Sequence, residues 1–121
     1  MKQINIVNAY AVTDKLTQDH NLSIQAKWVL YNIRKDLLSS YEFYVTESRN
    51  LFSQYDITVN GNTISFKTPA MAAEYKSKQN DIDNLDVDIN FKKQTLKLSD
   101  IPSITVSDIE TLEDFIEFMP E

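Results

Sequence analysis

The chain has no cysteine, one glycine and one histidine in 121 residues, and each scarcity removes a class of chemistry. Without cysteine there is no disulfide, thiolate metal site or thiol nucleophile; such a chain fits a reducing compartment without requiring one. One glycine leaves no phosphate-cradling glycine loop and no glycine-flanked serine elbow, so nucleotide-dependent enzymes of the familiar kinds are excluded. The sole histidine, His20, lies in the polar break Gln18-Asp19-His20-Asn21 and reads as a solvated loop residue rather than an acid–base catalyst. These absences predict a non-enzymatic protein with no cofactor; an activity built only on carboxylates and tyrosines is the enzymatic alternative they leave.

Long apolar runs are missing too. No stretch approaches the roughly 18 apolar residues of a membrane span, and the opening MKQINIVNAY sets Asn where a signal peptide needs an uninterrupted apolar run. The expectation is a cytoplasmic chain with no membrane partner, so the triplet Asn21-Leu22-Ser23 carries no meaning as a glycosylation site. Basic residues are absent from one end: Ser99 to Glu121 holds seven acids and no Lys or Arg, whereas the first 98 residues are nearly neutral, and the net charge of −6 therefore belongs to the C-terminus. Direct nucleic-acid binding, which needs clustered bases, is not expected. A basic partner is permitted.

What is present is one domain's worth of chain, with 42% hydrophobic residues to build a core. Ile4, Val7, Ala11 and Leu16 suggest a short first helix. From Leu22 to Tyr55 apolar residues recur at steps of three and four with an eleven-residue period (Leu22, Ile33, Tyr44, Tyr55), which nearly matches the natural pitch of an α-helix. The spacing predicts one long, nearly straight helix, with Ser39-Ser40 as the place for any bend. Its core arc is Leu22, Ala26, Val29, Leu30, Ile33, Leu37, Tyr41, Tyr44, Leu51, Phe52 and Tyr55.

A second stripe remains. Ile24, Tyr31, Leu38 and Val45 follow at heptad intervals with Trp28 beside them, off the first arc and among charged residues. Either the N-terminal helix or another molecule must cover them. Base stacking does not suit these aromatics, because the helix mixes both signs of charge.

Beyond the helix the period changes. Ile57 and Val59 alternate before Asn60-Gly61, and Ile64 and Phe66 after it, a hairpin pattern with glycine at the turn. Thr68-Pro69 reads as an N-cap with proline at the first helical position, opening a helix through Met71, Tyr75 and Lys78. Val87, Ile89 and Phe91 then alternate, and Leu96 and Leu98 alternate back across Lys92-Lys93-Gln94, which suggests a second hairpin. Ser107 to Glu110 matches a capping box and predicts a final amphipathic helix with Ile109, Leu112, Ile116 and Met119 on one face. The fold class expected is α+β in a single domain, 1–121: a short helix and a long helix packed on two small antiparallel hairpins, an intervening helix and a C-terminal helix.

Two acidic groups are candidate sites. Asp81, Asp83, Asp86 and Asp88 are dense enough to attract Ca²⁺ or Mg²⁺, although the spacing lacks the central glycine and terminal glutamate of an EF-hand loop. The plainer reading is a solvated helix exit. Asp108, Glu110, Glu113, Asp114 and Glu117 would form the solvent face of the last helix, which suits ordinary amphipathic packing or, alternatively, an acidic inhibitor of a defence or nucleic-acid enzyme.

The order of elements, with the long charged helix ending in SQYDI, the NGN hairpin, AAEYKSKQNDIDNLDVDINF and LKLSDIPSITVSDIETLEDFIEF, resembles small uncharacterised proteins encoded by phages and prophages of low-GC bacteria. The resemblance implies a context, a host cytoplasm or a particle assembled there, and no functional residue. With the second stripe, it leads to the expectation of an interaction or assembly protein acting through the long helix, with a protein partner or a second copy of itself.

Overall fold

The structure, a computed structural model, describes residues 1–120; Glu121 lies outside them. It is α+β, with four α-helices and two separate two-stranded sheets.

Helix α1 (Gln3–Leu16) begins at Lys2, whose side chain makes no capping bond. The backbone of residues 85–87 takes that role: Leu85 O accepts from Gln3 N at 2.9 Å, and Val87 N donates to Met1 O at 2.9 Å. One of the free N–H groups that every helix start leaves is thus satisfied across the fold. The buried face is Gln3, Ile6, Ala9, Thr13 and Leu16 rather than the expected Ile4, Val7 and Ala11. The phase differs because two polar residues are buried, each donating one hydrogen bond, although Gln3 Oε1 has no partner. Gln3 Nε2 donates to Ser40 O at 2.5 Å, and Thr13 Oγ1 donates to Tyr10 O at 2.7 Å.

Helix α2 (Ile24–Ser53) is continuous for 30 residues, about 45 Å at helical rise, and runs unbroken through Ser39-Ser40. Ser23 starts it, its Oγ accepting from Ala26 N at 3.0 Å, an interaction with a typical worth of about 1 kcal/mol. Leu22, Ala26, Val29, Leu30, Ile33 and Leu37 are buried, as the arc predicts. Beyond Leu37 burial thins: only Leu51 is fully covered, Tyr41, Tyr44 and Tyr55 are half-buried, and Phe52 is exposed.

The first hairpin forms where expected. Strands β1 (Thr58–Asn60) and β2 (Thr63–Ser65) pair antiparallel with Asn60 opposite Thr63, so the two-residue loop is Gly61-Asn62. Gly61 has φ +59°, a conformation that costs a side-chain-bearing residue energy. Both strands are exposed, and the hairpin is held at its base, where Phe66 meets Tyr55 and Tyr75 at ring separations of 6.4 and 5.3 Å. Helix α3 (Pro69–Asp83) starts at Thr68, whose Oγ1 accepts from Met71 N at 3.2 Å. It packs along the C-terminal half of α2 without burying any residue completely.

The second hairpin does not form. Val87, Ile89 and Phe91 are half-buried against the core and alternate with exposed Asp86, Asp88 and Asn90, so the alternation is real. Their segment makes no ladder with 94–98; its one bridge joins Asp86 to Lys2. Strand β3 (Gln94–Lys97) instead pairs in parallel with β4 (Ile116–Met119), Leu96 beside Phe118. Parallel strands need a crossover, supplied by a 3₁₀ turn (Leu98–Asp100) and helix α4 (Val106–Leu112).

The expected final amphipathic helix is accordingly short, ending at Leu112. Ile116 is buried and Glu117 exposed, the alternation of a strand. Its cap is Thr105 with Asp108, two residues before the expected Ser107: Thr105 Oγ1 accepts from Asp108 N at 3.1 Å, and Asp108 Oδ2 accepts from Thr105 N at 3.2 Å.

One core joins α1, the N-terminal half of α2, β3, β4 and α4, through Ile6, Leu16, Leu30, Ile33, Leu96, Ile101, Leu112 and Ile116 among others. Each such buried Leu or Ile stabilises the fold by roughly 1.5–3 kcal/mol relative to exposure.

Candidate functional site

The core arc of α2 turns toward α1 and the small parallel sheet, which leaves the opposite stripe facing out. Ile24 is 78% exposed, Trp28 62%, Tyr31 52% and Leu38 41%, while Val45 is half-buried. The first helix does not cover them. It lies beside them, fastened by Tyr10 stacked on Tyr41 at 4.0 Å between ring centroids and by Arg34, which reaches Asp14 Oδ1 at 3.1 Å and lies 5.4 Å above the Tyr10 ring.

Between the two helices an open cleft of about 350 Å³ is lined by Tyr10, Thr17, Tyr31, Arg34, Lys35 and Leu38. Tyr31 and Leu38 border it from the stripe, and Trp28 stacks nearly parallel to Tyr31 at 5.9 Å. The stripe is thus an apolar ridge with a cationic wall. Exposed Phe52, expected in the core, prolongs the ridge by a further heptad. Tyr10, Thr17, Arg34 and Lys35 are the lining residues that sequence patterning did not assign to the site. The spacing within α2 says nothing about which residues of α1 stand next to it.

The acids at the C-terminus do not make one face. Asp108 is buried, and both its oxygens accept from Lys15 Nζ, at 2.7 and 2.9 Å. Burial works against its ionisation, but the Lys15 and Thr105 hydrogen bonds and the Lys15 charge outweigh it and hold the carboxyl below the usual range. Glu110 lies on α4, Glu113 and Asp114 in the turn after it, and Glu117 on β4, all exposed. Two elements and a turn replace the single acidic helix.

Asp81, Asp83, Asp86 and Asp88 are also dispersed. Asp81 and Asp83 end α3, whereas Asp86 and Asp88 point outward from the segment beside Met1. Among the described residues no three His, Cys, Asp or Glu side chains are arranged to hold a metal ion. Asp83 instead joins a polar latch between α2 and α3, in which Gln79 Nε2 donates to Asp83 Oδ1 at 3.0 Å, Ser48 Oγ at 3.3 Å and the Tyr44 hydroxyl at 3.5 Å. Partial burial, then the Asp83 hydrogen bond and charge, raise the Tyr44 phenol. His20 is exposed in the turn between α1 and α2. No described helix is long and apolar enough to cross a membrane.

No protein-family model matches the chain, and no curated protein or solved structure matches it either.

Proposed function

We propose that this is a non-enzymatic interaction or assembly protein of the phage-encoded kind, working in the cytoplasm through the outward stripe of α2. The observation that carries this reading is the exposure of Ile24, Trp28, Tyr31 and Leu38 along one line of a helix that the core already holds rigid. Scattered exposed apolar residues are ordinary, but several in register on one helix, beside a cleft, make a surface that gains free energy when water leaves it. Large aromatics dominate such surfaces when they dock.

A photoreactive benzophenone amino acid in place of Tyr31 tests the reading inside cells. The stripe position should give a discrete protein adduct that Leu38→Lys abolishes, while the same probe at exposed Lys76 on α3 gives none. Equal adducts at both positions, or none at Tyr31, would overturn it.

A further inference from the structure

The stripe has a polar companion row. From Ile24, steps of four and three along α2 run Trp28, Tyr31, Lys35, Leu38, Glu42, Val45, Arg49, Phe52, and every one of these except half-buried Val45 is exposed. One row of this seam is wholly apolar: Ile24, Tyr31, Leu38, Val45, Phe52. The other is Trp28, Lys35, Glu42, Arg49, a single aromatic followed by charges of alternating sign. A 3.5-residue repeat over four heptads is the pattern by which one helix packs along another with a slight left-handed crossing.

The charges select the partner and its direction. If two copies paired in parallel and in register, Lys35 would meet Lys35, Glu42 would meet Glu42 and Arg49 would meet Arg49, three repulsive layers in succession. Reversing one helix about a two-fold axis beside Leu38 removes all three. Tyr31 then faces Val45 of the second copy, Ile24 faces its Phe52, Lys35 falls beside its Glu42, and Trp28 falls beside its Arg49. Symmetry makes each of these contacts twice. Lys35 lines the cleft next to the stripe beside Arg34, which is already bonded to Asp14, so Glu42 of the second copy arrives at the Lys35 ammonium. Arg49 against the Trp28 face adds a cation–π contact.

We infer that the occupant of the stripe is a second copy of this chain, its α2 antiparallel to the first, in a two-fold dimer with Leu38 at the axis and Lys35 paired to Glu42. This rests on the stripe being a docking face and names what docks there.

Sedimentation equilibrium on the purified full chain should give about twice the single-chain mass of 14.0 kDa. Lys35→Glu and Glu42→Lys, each at an exposed position, should weaken the dimer by roughly tenfold or more, since each sets like charges face to face. The two changes together should restore it, a rescue that general surface damage would not give. The absence of native cysteine allows the direction to be read as well: under oxidant, Tyr31→Cys mixed with Val45→Cys should yield a disulfide-linked pair, and neither variant alone should. Linkage of Tyr31→Cys to itself would overturn the antiparallel arrangement. A monomer at every concentration, with the Tyr31 photoprobe still linking to a different protein, would overturn the dimer and keep the docking face. A monomer without adducts would overturn both.

Discussion

Asp108 joins three jobs in one side chain: it closes the capping box of α4, ties α4 to α1 through Lys15, and is buried while charged. Its carboxyl binds a proton less readily in the folded chain than in the unfolded one, so its contribution to stability is complete above the ordinary carboxylate range and fades as pH falls through the depressed folded-state value. Asp108→Asn should therefore lower stability at neutral pH by about 1–3 kcal/mol, most of it from the cap and the orphaned buried contacts because Lys15 is half in solvent. Denaturant titrations of the two chains should converge as the pH is lowered from the ordinary carboxylate range through the depressed range in which the folded wild-type carboxylate takes up its proton. A difference that is constant down to low pH would show that the ion pair contributes nothing. Sequence patterning put Asp108 on a solvent face. The Thr105 cap is a local pattern that Ser107 to Glu110 overshadowed, whereas a lysine 93 residues away is not written into the neighbours of Asp108 at all.

At the scale of elements, legibility follows the range of the forces involved. Helix α2, the Gly61 hairpin and the Thr68-Pro69 start of α3 are set by local rules: periodicity, a capping hydroxyl, a positive φ, a proline where no N–H is needed. Each is where the sequence puts it. The outward stripe is legible for the same reason, being a property of one helix. The parallel pair β3–β4 leaves no local trace, because its strands are joined by a crossover rather than a turn, and Ile109, Leu112, Ile116 and Met119 satisfy helical spacing as well as the strand that ends them. The half-buried row Val87, Ile89 and Phe91 alternates like a hairpin strand, but its backbone partner is the start of α1. The cleft beside the stripe was unreadable because Gln3 and Thr13, polar residues in core positions, hid the true phase of α1 and with it the place of Tyr10. Since β4 closes the core rather than decorating it, Ile116→Ala should cost about 2–5 kcal/mol and lower the melting temperature of the whole chain, whereas Met119→Ala, on the exposed side of the same strand, should leave it nearly unchanged. In the amphipathic helix expected from the spacing, Ile116 and Met119 share the packed face and the two changes would cost alike.

Across the whole molecule stability is unevenly placed. The N-terminal half of α2 sets its core face on α1 and β3 and shares the main core with β4 and α4, while its C-terminal half rests on α3, a helix with no fully buried residue, and on the aromatic cluster of Tyr55, Phe66 and Tyr75. Amide hydrogen exchange should show the protons of 26–37 protected to the limit of global unfolding and those of α3 and the hairpin opening at lower free energy. Phe66→Ala should widen that gap without moving the exchange of the core; uniform protection along α2 would contradict it. The wiring of the core has a further consequence, for synthesis. Ile6 and the Met1–Gln3 backbone must wait for residues 85–87 and for Ile116 before they are enclosed. At a ribosomal pace of roughly 5–20 residues per second, α2 follows α1 within seconds and covers most of its apolar face, whereas the contacts with residues 85–87 and with the C-terminal elements wait on the order of 5–20 s. Slowing translation between α2 and β4 lengthens the time the core stands incomplete, and should cost more folded protein than slowing it through α1 and α2.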